Sequence, residues 1–148
     1  MKLYFEAKVK SGIPEIKDRF NKELFLKLAP PGLVLKLDRF DGCEEGNEVH
    51  LRMGLPGILQ KWVSKITFAS TTPAKWVFVD EGTVLPFPFK SWCHEHSVTQ
   101  ITDSVSLISD SINYDCGNSL LNTLIWGPLW LSFRIRPKVY QKEFGHCS

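Results

Sequence analysis

Leu3, Phe5, Ala7 and Val9 alternate with Lys2, Glu6, Lys8 and Lys10, so the chain opens on a strand with one buried face. Ser11-Gly12 interrupts the alternation, and Pro14 suits the first turn of a helix, where an N–H would have no partner anyway. Ile16, Phe20, Leu24 and Leu28 then recur every four residues among lysines and acids. That spacing predicts one amphipathic helix, or two short ones, within 14–29. Pro30-Pro31-Gly32 ends the segment.

A run of strand signals follows. Val34 to Phe40 and Glu48 to Leu55 flank the turn formers Asp41-Gly42 and Gly46-Asn47. Pro56-Gly57 leads into Ile58 to Ser70, and Thr72-Pro73 into Ala74 to Thr83. After a loop holding Pro86 and Pro88 come Ser91 to Thr99 and Ile101 to Ile112. Short turns at this density predict an antiparallel sheet of six to seven strands. Beyond Asp115-Cys116-Gly117, Asn118 or Ser119 can cap a C-terminal helix near 119–144. Its apolar stripe is Leu121, Leu124, Ile125, Leu131, Ile135 and Val139, with kinks or a restart expected at Pro128 and Pro137. A sheet with one apolar face needs a cover, and this helix is the element long enough to supply it. The expected class is α+β, in a single domain spanning 1–148.

Composition narrows the function little. At 148 residues the chain can bury roughly 68–70% of its unfolded surface. A net charge of +2 without a basic block argues against a nucleic-acid partner. The most apolar run, Leu120 to Phe133, contains Asn122, Gly127 and Pro128 and falls short of a bilayer span, so no stable membrane insertion is expected. Cys43, Cys93, Cys116 and Cys147 form no CxxC pair and no signal-peptide core precedes them, which suggests reduced thiols and a cytoplasmic location. Aromatics at 12%, five of them Trp, exceed what a minimal core needs and suit a lined cavity.

Chemistry concentrates in Leu85 to Asp103, LPFPFKSWCHEHSVTQITD. Trp92, His94 and His96 share one strand face by period-2 spacing. With Thr99-Gln100 as the hairpin tip, His96 faces Asp103, close enough for an imidazole–carboxylate contact. Ile101, Val105 and Leu107 in phase with Asp103 support that register. Three readings stay open for His94, His96 and Asp103: a buried pair with a structural role, a polar anchor for a ligand in an apolar cavity, or general acid/base catalysis. His94 and His96 can supply two metal ligands, but a site needs a third and usually a fourth, and positions 97 to 102 hold no Glu, so no metal is expected. Cys93 faces away from the histidines. One of Asp80 and Glu81 is expected to point inward. The chain has neither a P-loop nor a GxGxxG, and no cofactor is expected.

Element order and particular residues together resemble the START/SRPBCC superfamily, the helix-grip fold of pollen-allergen-like proteins. The resemblance is nearest to its bacterial ligand-binding or polyketide-cyclase-like group. It is carried by PGILQKWVSKI (Pro56 to Ile66), FVDE (Phe78 to Glu81), PFKSWCHEH (Pro88 to His96), TQITDSV (Thr99 to Val105) and FRIRPKVYQKEF (Phe133 to Phe144). It implies a curved sheet wrapped around the C-terminal helix and an apolar cavity between them. Trp62, Phe78, Trp92, His94, His96 and Asp103 are the expected ligand contacts from the sheet, and Leu124 and Leu131 from the helix. The 85–90 loop is an expected rim. The function this implies is an intracellular binding module for a small hydrophobic molecule (lipid, isoprenoid or polyketide-like). The alternatives are a cyclase/aromatase- or hydrolase-like enzyme using His94, His96 and Asp103, and a protein-interaction domain with a vestigial cavity.

Overall fold

The computed structural model describes residues 1–147. Seven strands form one antiparallel sheet: β1 (Lys2–Val9), β2 (Val34–Phe40), β3 (Glu48–Leu55), β4 (Ile58–Thr71), β5 (Lys75–Val84), β6 (Ser91–Thr102) and β7 (Val105–Asp115). Their spatial order is β1-β7-β6-β5-β4-β3-β2. Strands β2 to β7 are a meander, whereas β1 lies at the far edge beside β7. The chain therefore crosses from one edge to the other between β1 and β2, through α1 (Ile13–Arg19) and α2 (Lys22–Lys27). Register shifts between β2 and β3, β4 and β5, and β6 and β7 insert bulges that increase the local twist and help the sheet curl.

The four-residue apolar spacing of 16–28 resolves into two helices because Asn21 interrupts it. The Asn21 side chain accepts from Glu23 N and Leu24 N at 3.0 and 3.1 Å, capping α2. Ile16, Leu24 and Leu28 are buried, and Phe20 packs edge-on to Trp76 and Phe78. The C-terminal segment likewise divides into α3 (Ser119–Phe133) and α4 (Arg136–Phe144), separated by Arg134-Ile135. Pro128 lies inside α3 without ending it, and Pro137 occupies the first turn of α4. The expected restart thus falls at the second proline alone, where the missing N–H needs no partner. No helix among the described residues is long and apolar enough to cross a membrane.

Asn118 caps α3 by accepting from Leu121 N at 2.8 Å. Asn118→Ala is expected to cost about 1 kcal/mol, the usual loss for such a cap; a change in the urea midpoint with an unchanged m-value would measure it.

The concave face carries two apolar clusters. One joins Ile16, Trp76, Phe78, Val98, Ile108 and Tyr140, and the other joins Leu51, Trp62, Trp92, Ile112 and Phe133. On β6 the inward residues run Trp92, His94, His96, Val98, and on β7 they run Ile108, Asp110, Ile112. A belt of buried ionisable groups therefore separates the two clusters.

Candidate functional site

The hairpin between β6 and β7 turns at Asp103-Ser104, with Thr102 opposite Val105, and not at Thr99-Gln100. Consequently His96 pairs with Asp110 across the ladder, His94 with Ile112, and Trp92 with Tyr114. Asp103 is not part of the cluster. It lies exposed at the turn, in a shallow surface depression beside Ile13, Pro14 and Lys17. The inward positions of β7 are the even numbers: Ser106, Ile108, Asp110, Ile112 and Tyr114 are all buried. Polar residues on the inward face of β7 and Leu107 on its outward face make the alternation point the wrong way.

Asp110 is the hub of the belt, 1% exposed. His94 Nε2 lies 2.9 Å from its Oδ1 in hydrogen-bonding geometry, and Tyr140 donates to Oδ2 at 3.1 Å. His96 Nδ1 is also 2.9 Å from Oδ1, but off the line of a hydrogen bond, and has no other hydrogen-bond partner among the described residues. Arg136 approaches the same oxygen at 3.6 Å while its guanidinium lies over the Phe133 ring, 4.1 Å from the centroid. On the other side, Asp80 from β5 places Oδ2 3.7 Å from His94 Nδ1 and 3.5 Å from His96 Nε2. Of the Asp80-Glu81 pair, then, Asp80 is the one that turns inward. The two imidazoles lie 3.7 Å apart between centroids with their planes tilted by 38°, and Phe78 stacks on His96 at 4.4 Å.

The environment sets the charges. Burial, helped by the neighbouring His96, lowers His94 to about 4 and keeps its ring neutral. Burial also opposes charge on His96, but Asp110 and Asp80 outweigh it and raise its pKa above the ordinary histidine value. Burial works against ionising the two aspartates; contacts with the histidines prevail and hold Asp80 below, and Asp110 well below, the usual carboxylate range. Burial and the Asp110 charge push the Tyr140 phenol well above its ordinary value. The belt holds two carboxylates against one arginine, so one further positive charge is needed for neutrality.

Above the belt lies a cavity of about 310 Å³ between the sheet, α2 and α3. Its walls are chiefly apolar, with Leu51, Trp62, Phe78 and Trp92 from the sheet and Phe25 from α2. Asp80, His94, His96 and Arg136 reach it from the belt, whereas Asp110 sits behind them. Phe87, Pro88 and Phe89 border it, with Phe87 80% exposed and Phe89 packed on Trp62 at 5.6 Å. The helical wall is Ile125, Pro128, Leu129, Ser132 and Phe133. Leu124 and Leu131 are not in it; they face outward, 61% and 56% exposed. Helix α3 holds no charged residue, so its sequence carries no polar face to say which side turns inward. Cys43 also lines the cavity, but burial and nearby Asp80 push its thiol up to about 12, which suppresses the nucleophilic thiolate.

The site expected from the sequence holds Trp62, Phe78, Trp92, His94 and His96, which the structure brings together, but not Asp110, Tyr140 or Arg136. Asp110 had a signal, since Asp-Ser at 103-104 is better turn chemistry than Thr-Gln at 99-100. Moving the turn there brings residue 110 opposite 96. Tyr140 and Arg136 had none, because their meeting with Asp110 depends on how α4 docks.

No family model and no curated protein matches this sequence. Solved structures do match its fold. Ginseng major latex-like protein 151 from Panax ginseng superposes with a TM-score of 0.64 at 15% identity, covering 97% of both chains. An aromatase/cyclase from a Streptomyces species superposes at 0.63 with 9% identity, covering 97% of this chain and 95% of that one. Norcoclaurine synthase from Thalictrum flavum, solved with dopamine and hydroxybenzaldehyde, gives 0.65 at 14% identity over 100% of this chain and 88% of its own. With its curled seven-stranded sheet, two short helices after β1 and C-terminal helical segment laid across the concave face, this chain has the helix-grip fold that those structures share.

Proposed function

We propose that the protein binds a small hydrophobic molecule bearing one polar group. The hydrocarbon part occupies the cavity and the polar group meets the belt at Asp80, His94, His96 and Arg136. The observation that carries this reading is an apolar cavity of about 310 Å³ that ends on buried ionisable side chains. That volume is at the lower end of the range of small-molecule sites, which combine apolar walls with a few placed polar groups. Apolar contact contributes about 25 cal/mol per Å² buried. A polar ligand atom left unpaired at the belt costs about 1–3 kcal/mol, so the belt selects for a hydrogen-bonding head.

The norcoclaurine synthase and the aromatase/cyclase are enzymes by name, which keeps catalysis as a second reading. It is favoured by one observation here, the neutral His94 held against Asp110 at 2.9 Å, an imidazole with its tautomer set by a carboxylate.

Mass spectrometry of molecules extracted from freshly purified protein, with a thermal-shift panel of fatty acids, sterols, isoprenoids and aromatic polyketides, tests the reading. A ligand at a hundred times its Kd stabilises by about 2.7 kcal/mol. For a chain of this size that raises Tm by roughly 5–10 °C. Turnover of a panel member would shift the assignment to the enzyme reading. An empty extract together with a flat panel would leave the protein-interaction reading instead.

A further inference from the structure

Two imidazoles two residues apart on one strand have Cys93 and Glu95 beside them in sequence but on the opposite face, and the sheet supplies a third donor on their own face from β5. One donor atom from each of Asp80, His94 and His96 lies within 4.8 Å of the other two. Two of these edges are short: Asp80 Oδ2 is 3.7 Å from His94 Nδ1 and 3.5 Å from His96 Nε2. Bonds of about 2.0–2.2 Å in a tetrahedral site put neighbouring donor atoms roughly 3.3–3.6 Å apart. Two of the three edges therefore fit one ion with little movement of the side chains.

The far sides of the rings fit as well. Metal-bound histidines turn their other nitrogen to a carboxylate or carbonyl, which fixes the tautomer and the ring orientation. Here His94 Nε2 and His96 Nδ1 both face Asp110 Oδ1 at 2.9 Å. Asp110 is itself held by Tyr140 and approached by Arg136. Hydrogen bonding within the protein does not complete this arrangement, since His96 Nδ1 has no aligned partner. With both imidazoles neutral, as metal ligation requires, two buried carboxylates against one arginine leave a net negative charge that attracts a cation. Finally, Asp80, His94 and His96 line the cavity and Asp110 does not, so the three donors meet on the accessible side.

We propose that Asp80 Oδ2, His94 Nδ1 and His96 Nε2 bind one divalent first-row transition ion, with a fourth position open to the cavity. Two imidazoles and one carboxylate serve zinc in sites with an exchangeable position, and ferrous iron in facial triads. The open position would take water, or an oxygen of the molecule in the cavity. The metal site shares the cavity of the binding module but does not depend on a hydrophobic ligand occupying it.

Protein dialysed against a chelator is titrated calorimetrically with Zn²⁺, with Co²⁺ as a spectroscopic probe and with Fe²⁺ under anaerobic conditions. One equivalent of at least one ion is expected, and cobalt bound here shows d–d bands of low coordination number. Asp80→Asn and His96→Gln each weaken binding at least tenfold, and Asp110→Asn weakens it by about 10–100-fold through the ring orientations. His50→Gln, which removes the histidine paired with Glu48 on the surface, leaves binding unchanged. The proposal is overturned if no ion binds in stoichiometric amount, or if binding survives both Asp80→Asn and His96→Gln. The lipid and polyketide panel is repeated on the chelated protein. A thermal shift retained there beside failed metal binding removes the metal site and leaves the binding module standing.

Discussion

Asp110→Ala is expected to destabilise the chelator-treated protein by about 3–5 kcal/mol, the usual cost of removing one partner from a buried ionic cluster. Asp110 accepts from His94 and Tyr140, lies 3.6 Å from Arg136, and is 1% exposed. Its removal leaves a guanidinium, a phenol and two imidazoles between the apolar clusters with no anion behind them. A loss of that size is a large share of the 5–15 kcal/mol typical of a domain. Asp110→Asn keeps the shape and one acceptor, and should cost about 1–3 kcal/mol. Asp103→Asn, at the exposed turn, should stay within about 0.5 kcal/mol. Urea denaturation of the three variants also tests the strand register directly. Equal losses at 103 and 110, or a negligible loss for Asp110→Ala, would contradict the pairing of β6 with β7 described above.

Ser64→Phe is expected to weaken hydrophobic-ligand binding by roughly 70-fold while the fold persists. Ser64 lies on the concave face of β4 between Trp62 and Ile66, is 6% exposed and lines the cavity. Its ladder partners are Val49 and Gly82, and Leu85 packs over the glycine, so a larger side chain at 64 extends into the cavity. If the phenyl ring takes the place of roughly 100 Å² of ligand surface, about 2.5 kcal/mol of apolar contact is lost. That corresponds to roughly 70-fold in Kd. The measurement is the thermal shift produced by whichever panel compound stabilises wild type, with circular dichroism as the check on folding. Full binding by a folded Ser64→Phe protein would place the ligand outside this cavity.

Both expectations turn on residues whose importance depends on neighbours distant in the chain. Asp110 meets Tyr140 across 30 positions. Asp80 meets the histidines because β5 pairs with β6, placing Asp80 opposite His94 and Phe78 opposite His96. Local pattern suffices to bring Trp92, His94 and His96 onto one face, since period-2 alternation is a property of any strand. It does not say which carboxylate that face will meet.

Local pattern was enough for the order of elements, six to seven strands with bounds within a few residues, a cap at Asn118 or Ser119, and a shared face for the indole and two imidazoles. Each follows from short-range physics: alternation, capping, turn formers and the fixed φ of proline. Tertiary structure alone decided the rest. The turn moved from Thr99-Gln100 to Asp103-Ser104, which put Asp110 in the cluster and Asp103 outside it. Pairing register is a sum over the whole ladder, so strands with apolar residues on both faces, such as β7, do not declare it locally. Helix α3 turned Ile125 and Leu129 inward and left Leu124 and Leu131 in solvent. An uncharged helix has no polar face to fix its rotation, so the shape of the sheet beneath it made that choice.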